Sequence, residues 1–386
     1  MAITKRPGVY FDETTEFELK GAGGKIPVFI GKTGNTGTGD YKVDGTQIQK
    51  FTNFLEVNRT IANGGIVGQG ENPLLNVLED FFEEAEIKTS EDIGVPYIYV
   101  IDVGDATSKD VWLSALTTAK AKRDATIEVY VGAESITDSN YKFTDFLHAA
   151  SASIETETAK LNLRTAFATK LNATDSELIA LNPSEGGILD SRIGIIEPLL
   201  FGKHIARICC TPYYIEPGFL AYRTVKPGIF KERTDAEIEA LQDAGIIVAV
   251  DEFVSDLTVC RINLCTSTAY ALEKRPADSL FHARFNADNL LRKIFKAAFS
   301  QIKANETVSS MVKTQTKIDA VIDEEVAAER MIAYNGETGN GTRLTLVESD
   351  SNPYNMELVG QIQGINSTIA IEVKVQIKNP AVKIMN

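Results

Sequence analysis

The chain has 386 residues, and 39 basic against 53 acidic side chains give it a formal net charge of −14. Hydrophobic residues at 44% and charged residues at 24% are typical of a folded globular protein and exclude wholesale disorder. The acidic balance argues against a general nucleic-acid binder, whose phosphate contacts need a broad basic face.

The N-terminal 24 residues predict an extended arm. A Pro-Gly turn precedes Val9, Tyr10 and Phe11, which form a short β-prone run. The start has no apolar segment of the kind that directs secretion, and no stretch approaches the roughly 20 apolar residues that span a bilayer. We therefore expect synthesis in the cytoplasm without a signal peptide, and no insertion into a membrane.

Residues 25–259 alternate between β-prone and helix-prone segments. Strands are predicted over 25–30, 96–103, 126–131, 204–210 and 246–250, and helices over 71–86, 109–122, 141–171 and 235–243. This alternation is the signature of an α/β unit with a mostly parallel sheet. We assign residues 25–92 to the N-terminal part of the core and residues 93–259 to an α/β domain.

After about residue 260 the pattern changes to long helices and terminal strands. A basic amphipathic helix is predicted over 284–303 and an acidic helix over 316–333, followed by a Gly/Asn turn and two strands. The last strand has one apolar face, made of Ile369, Ile371, Val373, Val375 and Ile377. We therefore predict an α/β chain, α+β overall, with a C-terminal helix-and-strand domain over 260–365, a C-terminal arm over 366–386, and extended β-arms at both ends.

Charge is unevenly distributed along the chain. Residues 71–92 carry a local charge of −7 and residues 231–259 carry −6, whereas residues 281–303 carry +4. Within this basic helix, the cations at neighbouring helical positions are Arg292, Lys293, Lys296 and Lys303. A charge run is usually a solvated face, but oppositely charged segments in one chain also favour head-to-tail docking of copies.

The sequence contains no catalytic or cofactor motif. The Gly-Lys-Thr at 31–33 lacks the glycine that a phosphate-binding loop needs five residues earlier, since that position is Ile26. His148, His204 and His282 stand in no metal or nucleophile spacing, and the four cysteines predict reduced, buried thiols.

The carboxylate pairs at 83–84 and 324–325 are interpreted as solvated faces of amphipathic helices. We therefore predict no enzyme activity, no cofactor and no metal. The alternative is an α/β hydrolase-like enzyme whose triad assembles from distant residues, because triads are defined by geometry rather than by sequence position.

Three passages, taken in chain order, resemble one known family. They are Arg6–Glu13 (RPGVYFDE), Ile26–Gly34 (IPVFIGKTG) and Thr234–Val248 (TDAEIEALQDAGIIV). Together with a basic helix, an acidic helix and a final alternating strand, they resemble contractile tail sheath proteins of phages and phage-tail-like bacteriocins.

The resemblance implies a structural subunit that stacks as hexameric rings around an inner tube and contracts from a metastable state to drive the tube through a cell envelope. The implied partners are other copies, the inner tube protein, and baseplate and terminator or collar proteins, with no nucleic acid. It also implies a non-catalytic, subtilisin-like α/β domain, a C-terminal domain facing the tube, and a final location in an extracellular particle.

Two expectations follow for the ends of the chain and the basic helix. The arms, including residues 369–377, are expected to pair with neighbouring subunits. The basic helix is expected to contact the inner tube or, alternatively, a neighbouring sheath subunit.

Overall fold

The computed structural model describes residues 25–35, 41–63, 72–86, 93–138, 141–158, 160, 162–181, 190–228, 233–254, 257–273, 279–299, 308–349, 352–364 and 375–378. These residues fall into two compact units, one made of residues 25–273 with 279–282 and one of residues 283–378. The N-terminal arm, with Val9, Tyr10 and Phe11, lies outside the described residues.

The first unit is built on a seven-stranded sheet. Its strands are β1 (Pro27–Gly31), β2 (Gln49–Phe51), β3 (Ile98–Asp102), β4 (Ile127–Val131), β5 (Thr165–Ala168), β6 (Ile193–Ile196) and β7 (Ile246–Ile247). The order is β2-β3-β1-β4-β5-β6-β7, and all pairs are parallel except β2 with β3. Every residue of β1, β3, β4, β5 and β6 is buried, as expected for a parallel sheet covered on both faces.

Helices and one hairpin complete this unit. The helices are α1 (Phe54–Asn63), α2 (Pro73–Glu86), α3 (Lys109–Ala119), α4 (Phe143–Thr158), α5 (Asp175–Ile179), α6 (Phe201–Cys210), α7 (Asp235–Asp243) and α8 (Tyr270–Glu273). Thr174 and Thr234 open α5 and α7 with reciprocal capping boxes to Glu177 and Glu237. The antiparallel hairpin of β8 (Ala249–Val254) and β9 (Leu257–Ile262) keeps the first unit continuous beyond residue 259, where the sequence suggested a boundary.

An aromatic cluster occupies one face of the sheet. Trp112 of α3 is fully buried and packs edge-on against Phe146 of α4, which also packs edge-on against Tyr130 of β4. The Trp112 indole donates a hydrogen bond to the Ala106 carbonyl at 3.2 Å, so its polar atom is satisfied.

The second unit combines helices with a three-stranded antiparallel sheet. It contains α9 (Phe281–Phe299) from Ala283 onward, α10 (Val308–Ala327), β10 (Arg343–Ser349), β11 (Asn352–Gln361) and β12 (Val375–Lys378). The strand order is β10-β11-β12, so β11 is the central strand. Among the described residues, no helix of either unit is long and apolar enough to cross a membrane.

The α/β class and mostly parallel sheet are confirmed, but two predicted elements were wrong. Residues 204–210, predicted as a strand, belong to α6, in which every residue is buried. A short run that is buried on all sides shows no periodicity that separates helix from strand. Residues 141–171, predicted as largely helical, contain α4 and then β5, a four-residue strand too short to give a pattern of its own.

The C-terminal strands also differ from the expectation. The sequence predicted two strands after the Gly/Asn turn, and the structure has three. The additional strand is β11. Its sequence, NPYNMELVGQ, is too polar and irregular to show the alternation of apolar and polar residues that predicts a strand.

Helices α2 and α6 pack closely because Gly202 lies at their contact. A β-carbon at position 202 would lie 2.1 Å from the Val77 carbonyl oxygen and 2.7 Å from the β-carbon of Asp80. We expect Gly202→Ala to lower the free energy of unfolding by about 2 kcal/mol, because overpacking outweighs the gain in helix propensity. Urea denaturation followed by circular dichroism measures this change. Gly336→Ala, which adds its methyl group to open space, is the control, and an unchanged midpoint for Gly202→Ala would contradict the close packing.

Candidate functional site

The carboxyl edge of the parallel sheet is where α/β proteins usually bind ligands, and here it is occupied by the protein's own hydrogen bonds. Asp102, the last residue of β3, accepts hydrogen bonds from the Thr33 hydroxyl at 2.5 Å and the Tyr41 hydroxyl at 2.7 Å. It also accepts one from the Gly104 backbone at 2.7 Å. Burial raises the pKa of the Asp102 carboxyl, and these hydrogen bonds oppose that shift. Asp102 therefore ties together the loops that follow β1 and β3.

The histidines are placed in structural contacts. His148 is exposed on α4. His282 Nδ1 lies 2.5 Å from Glu216 Oε2, and the other oxygen of Glu216 accepts a hydrogen bond from the Cys265 backbone at 2.7 Å. The four cysteines are buried and form no disulfide bonds, as predicted. Within the described parts of the chain, no group of three or more His, Cys, Asp or Glu residues is arranged to hold a metal.

His204 is fully buried in α6 beside a network of charges. Its Nδ1 donates to the Leu200 carbonyl at 2.9 Å, and its Nε2 lies 3.7 Å from Glu197 Oε1. Glu197 in turn accepts a hydrogen bond from Arg233 at 2.6 Å, and Arg233 also binds Asp175 of α5 through two nitrogens. Burial lowers the pKa of the His204 imidazole to about 4. His204 is thus neutral in the folded protein near pH 7.

The lowered pKa predicts that acid destabilises the first unit through His204. Unfolding releases an imidazole with an ordinary pKa near 6.5, so the unfolded chain takes up a proton as the pH falls below 6.5 while the folded chain does not until about pH 4. We expect the wild type to lose about 3 kcal/mol of stability relative to His204→Asn between pH 7 and pH 4. Burial raises the pKa of Glu197, which has the opposite effect on stability, but Glu197 is present in both proteins. Urea denaturation at each pH measures the difference, and parallel stability curves would contradict the buried neutral histidine.

The expectation that both carboxylate pairs are solvated was wrong for one member of each. Glu84 is buried and accepts hydrogen bonds from the backbones of Arg223 at 2.8 Å and Thr224 at 3.0 Å, whereas Glu83 is exposed. Glu325 is buried, whereas Glu324 is exposed. Adjacent residues of a helix point in directions about 100° apart, so one of two neighbouring acids can face solvent while the other faces the interior.

The basic helix α9 is partly engaged within its own unit. Lys293 donates a hydrogen bond to the buried Glu325 of α10, and Arg330 lies 3.3 Å from the same carboxylate. Arg292 is half-buried, Lys296 is exposed, and Lys303 lies outside the described residues. The predicted apolar side of this helix is buried at Leu291, Ile294 and Ala298. Lys293 is therefore an anchor between α9 and α10 rather than a member of a free basic stripe.

Charge reversal separates this anchor from the exposed cation. We expect Lys293→Glu to destabilise the second unit by about 3 kcal/mol, because it places a second carboxylate against the buried Glu325. The matched change Lys296→Glu should alter stability by less than about 0.5 kcal/mol, since Lys296 is exposed. Thermal unfolding of the two variants measures the difference. Equal stabilities would show that the contact between Lys293 and Glu325 does not stabilise the second unit.

The terminal strand pairs with its own chain in this structure. Val375 and Ile377 lie in β12 opposite Leu358 and Met356 of β11, in antiparallel register. A single chain offers only its own strand edge, so the expected pairing with another subunit stays a prediction. The remaining members of the predicted strand, Ile369, Ile371 and Val373, lie outside the described residues.

How the opposite edge of this sheet is covered could not be predicted from the sequence. The side-chain amide of Gln315 in α10 donates a hydrogen bond to the Leu344 carbonyl at 2.9 Å and accepts one from the Leu346 backbone at 2.8 Å. In the sequence, Gln315 cannot be distinguished from an ordinary polar residue on a helix surface. It reaches the strand edge only because α10 packs along β10.

Comparisons with known proteins were made for sequence and for structure. No protein-family model and no curated protein sequence matches the chain. A chain of the anti-feeding prophage (AFP) baseplate has a TM-score of 0.63 at 14% identity, with 96% of this chain and 99% of that chain covered. The AFP helical sheath in its contracted state has a TM-score of 0.60 at 14% identity, with 100% and 99% covered. The sheath tail protein Lin1278 from Listeria innocua has a TM-score of 0.58 at 8% identity, with 92% and 96% covered.

The chain has the contractile sheath fold. The resemblance indicated by the sequence is confirmed at the level of fold, over nearly the whole length of this chain and of these structures. Among the described residues, those that the sequence predicted to contact other subunits or the tube lie in α9 and β12, so the second unit with its β10-β11-β12 sheet is the candidate functional site.

Proposed function

We propose that this protein is the structural subunit of a contractile tail sheath, which polymerises as stacked hexameric rings around an inner tube. Contraction of the sheath from a metastable extended state would drive the tube through a cell envelope. The observation that carries the proposal is the similarity to the contracted AFP sheath, which covers 100% of this chain and 99% of that one. The proposed partners are other copies, the inner tube protein, and baseplate and terminator or collar proteins in an extracellular particle.

A non-catalytic role is supported by how the first unit uses its polar groups. Asp102 is occupied by loop hydrogen bonds, and Glu197 is occupied by Arg233 and by the Ala249 backbone at 2.5 Å. His204 is fully buried, which removes it from contact with a substrate. We therefore favour a structural subunit over the alternative of a hydrolase with a non-local triad.

The links between subunits are proposed to be exchanged strands. The four residues of β12 pair with Asn355–Leu358 of β11, and residues 365–374 precede them. The same strand from a second copy would form the same main-chain hydrogen bonds, so exchange costs little energy beyond that of bringing the copies together. Main-chain hydrogen bonds of an exchanged strand would then keep neighbouring subunits connected while their domains rotate.

The tube is proposed to lie against the second unit. Lys296 is an exposed cation on α9 in an otherwise acidic protein, which makes it a candidate contact with the tube or with a neighbouring sheath subunit. Lys296→Glu, expected to leave the fold intact, would reveal either contact as weaker tube-templated assembly.

Truncation tests the strand exchange directly. A chain ending at Ile365 should remain folded, because the first unit and α9 to β11 are retained, but it should form no sheaths because β12 is lost. A chain ending at Pro380 retains β12 and should assemble as the full chain does. Circular dichroism reports folding, and negative-stain microscopy with the inner tube reports assembly. Normal sheaths from the chain ending at Ile365 would refute strand exchange through β12.

Microscopy of the full chain tests the proposed function itself. We expect striated or polymeric tubes when the protein is expressed alone or with its tube protein. A monodisperse particle under both conditions would point to a binding module or an enzyme. Loss of an activity on replacing the three histidines would favour the enzyme.

A further inference from the structure

We propose that Gln315 closes the outer edge of β10, so that a strand from a second copy can join this sheet only on the β12 side of β11. The identity of the incoming strand rests on the proposed function. The closed edge itself is a property of the single chain and can be tested in the monomer.

The outer edge of β10 is hydrogen-bonded at three successive outward-facing residues. The Thr342 backbone, just before the strand, donates to the Ile332 carbonyl at 2.8 Å. The Leu344 carbonyl then accepts from Gln315, and the Leu346 N–H donates to Gln315. In an antiparallel pair, alternate residues direct their backbone groups to opposite edges, so these groups point away from β11. They are the groups that an incoming strand would have to use.

The Gln315 amide occupies backbone groups that a neighbouring strand would otherwise bind. It supplies a donor to the Leu344 carbonyl and an acceptor to the Leu346 N–H, two of the outward-facing groups to which a strand added at this edge would bond. Its second N–H donates to Asp319 Oδ1 at 2.7 Å, within the same helix. This third bond holds the amide in the orientation that β10 requires.

The two edges of the sheet are therefore unequal. On one side β10 is covered by a side chain of helix α10, which packs along it. On the other side β11 is paired over Asn355–Leu358 by β12, a four-residue strand that follows a connection of more than ten residues. An open strand at both edges would allow copies to add to either side and to grow into irregular sheets. Closing one edge directs a second copy to the position of β12.

The test compares Gln315→Ala with Thr316→Ala in the full chain. Thr316 is the exposed neighbour of Gln315 and donates only within its own helix, to the Val312 carbonyl at 2.8 Å. Under dilute conditions in which the wild type is monomeric, amide exchange at Leu346 should accelerate roughly tenfold in Gln315→Ala, because its side-chain acceptor is lost. In Thr316→Ala it should change less than twofold. Sedimentation velocity should show larger, concentration-dependent species for Gln315→Ala alone.

A synthetic peptide of residues 369–378 provides a second measurement on the same proteins. Added in about millimolar excess, so that it competes with the tethered β12, it should leave amide exchange in residues 342–348 of the wild type unchanged. With Gln315→Ala, exchange in residues 342–348 should slow. Protection of residues 342–348 in the wild type would overturn the proposal. If the peptide binds neither protein, unchanged Leu346 exchange and sedimentation in Gln315→Ala would overturn it equally. Failure of the wild type to form sheaths would count against the proposed function only, since the exchange measurement uses the monomer.

Discussion

The backbone hydrogen bonds at strand edges are the constraint on which the arrangement of this protein depends. In the first unit the sheet ends in β2 and β7, which are three and two residues long and offer little edge for another strand. In the second unit β11 is ten residues long and needs partners on both sides. The chain meets this need with β10 on one side, itself covered by Gln315, and with the short β12 on the other. The edge occupied by β12 is therefore the edge at which the proposed strand exchange would join copies.

The first unit uses polar residues at the carboxyl edge of its parallel sheet for internal contacts. Asp102 holds loops there, and Glu197 binds the β8 backbone at Ala249 and Arg233, which in turn binds Asp175 of α5. Buried charges of this kind stabilise little by themselves, but removing one partner leaves the other uncompensated. They define how the loops sit on the sheet.

Secondary structure was predicted most accurately where buried segments show a recognisable pattern of apolar residues. The central strands β1, β3 and β4 were located to within a few residues because continuous apolar runs between turns have few alternatives. Helix α6 was missed because burial on all sides removes periodicity. Glu84, Glu325 and Lys293 were misplaced because composition does not reveal which of several adjacent charges points inward. The role of Gln315 could not be predicted for a related reason, because its hydrogen-bond partners are backbone groups 29 and 31 residues away.

The pairing of β12 with its own chain has a consequence for when copies join. A strand tethered to its acceptor by a flexible connection has an effective concentration in about the millimolar range. Free copies present at micromolar concentration would compete poorly with it, so each chain would shield its own acceptor edge. Under the proposed strand exchange, the same four residues would act first as a guard against premature polymerisation and later as the link between subunits.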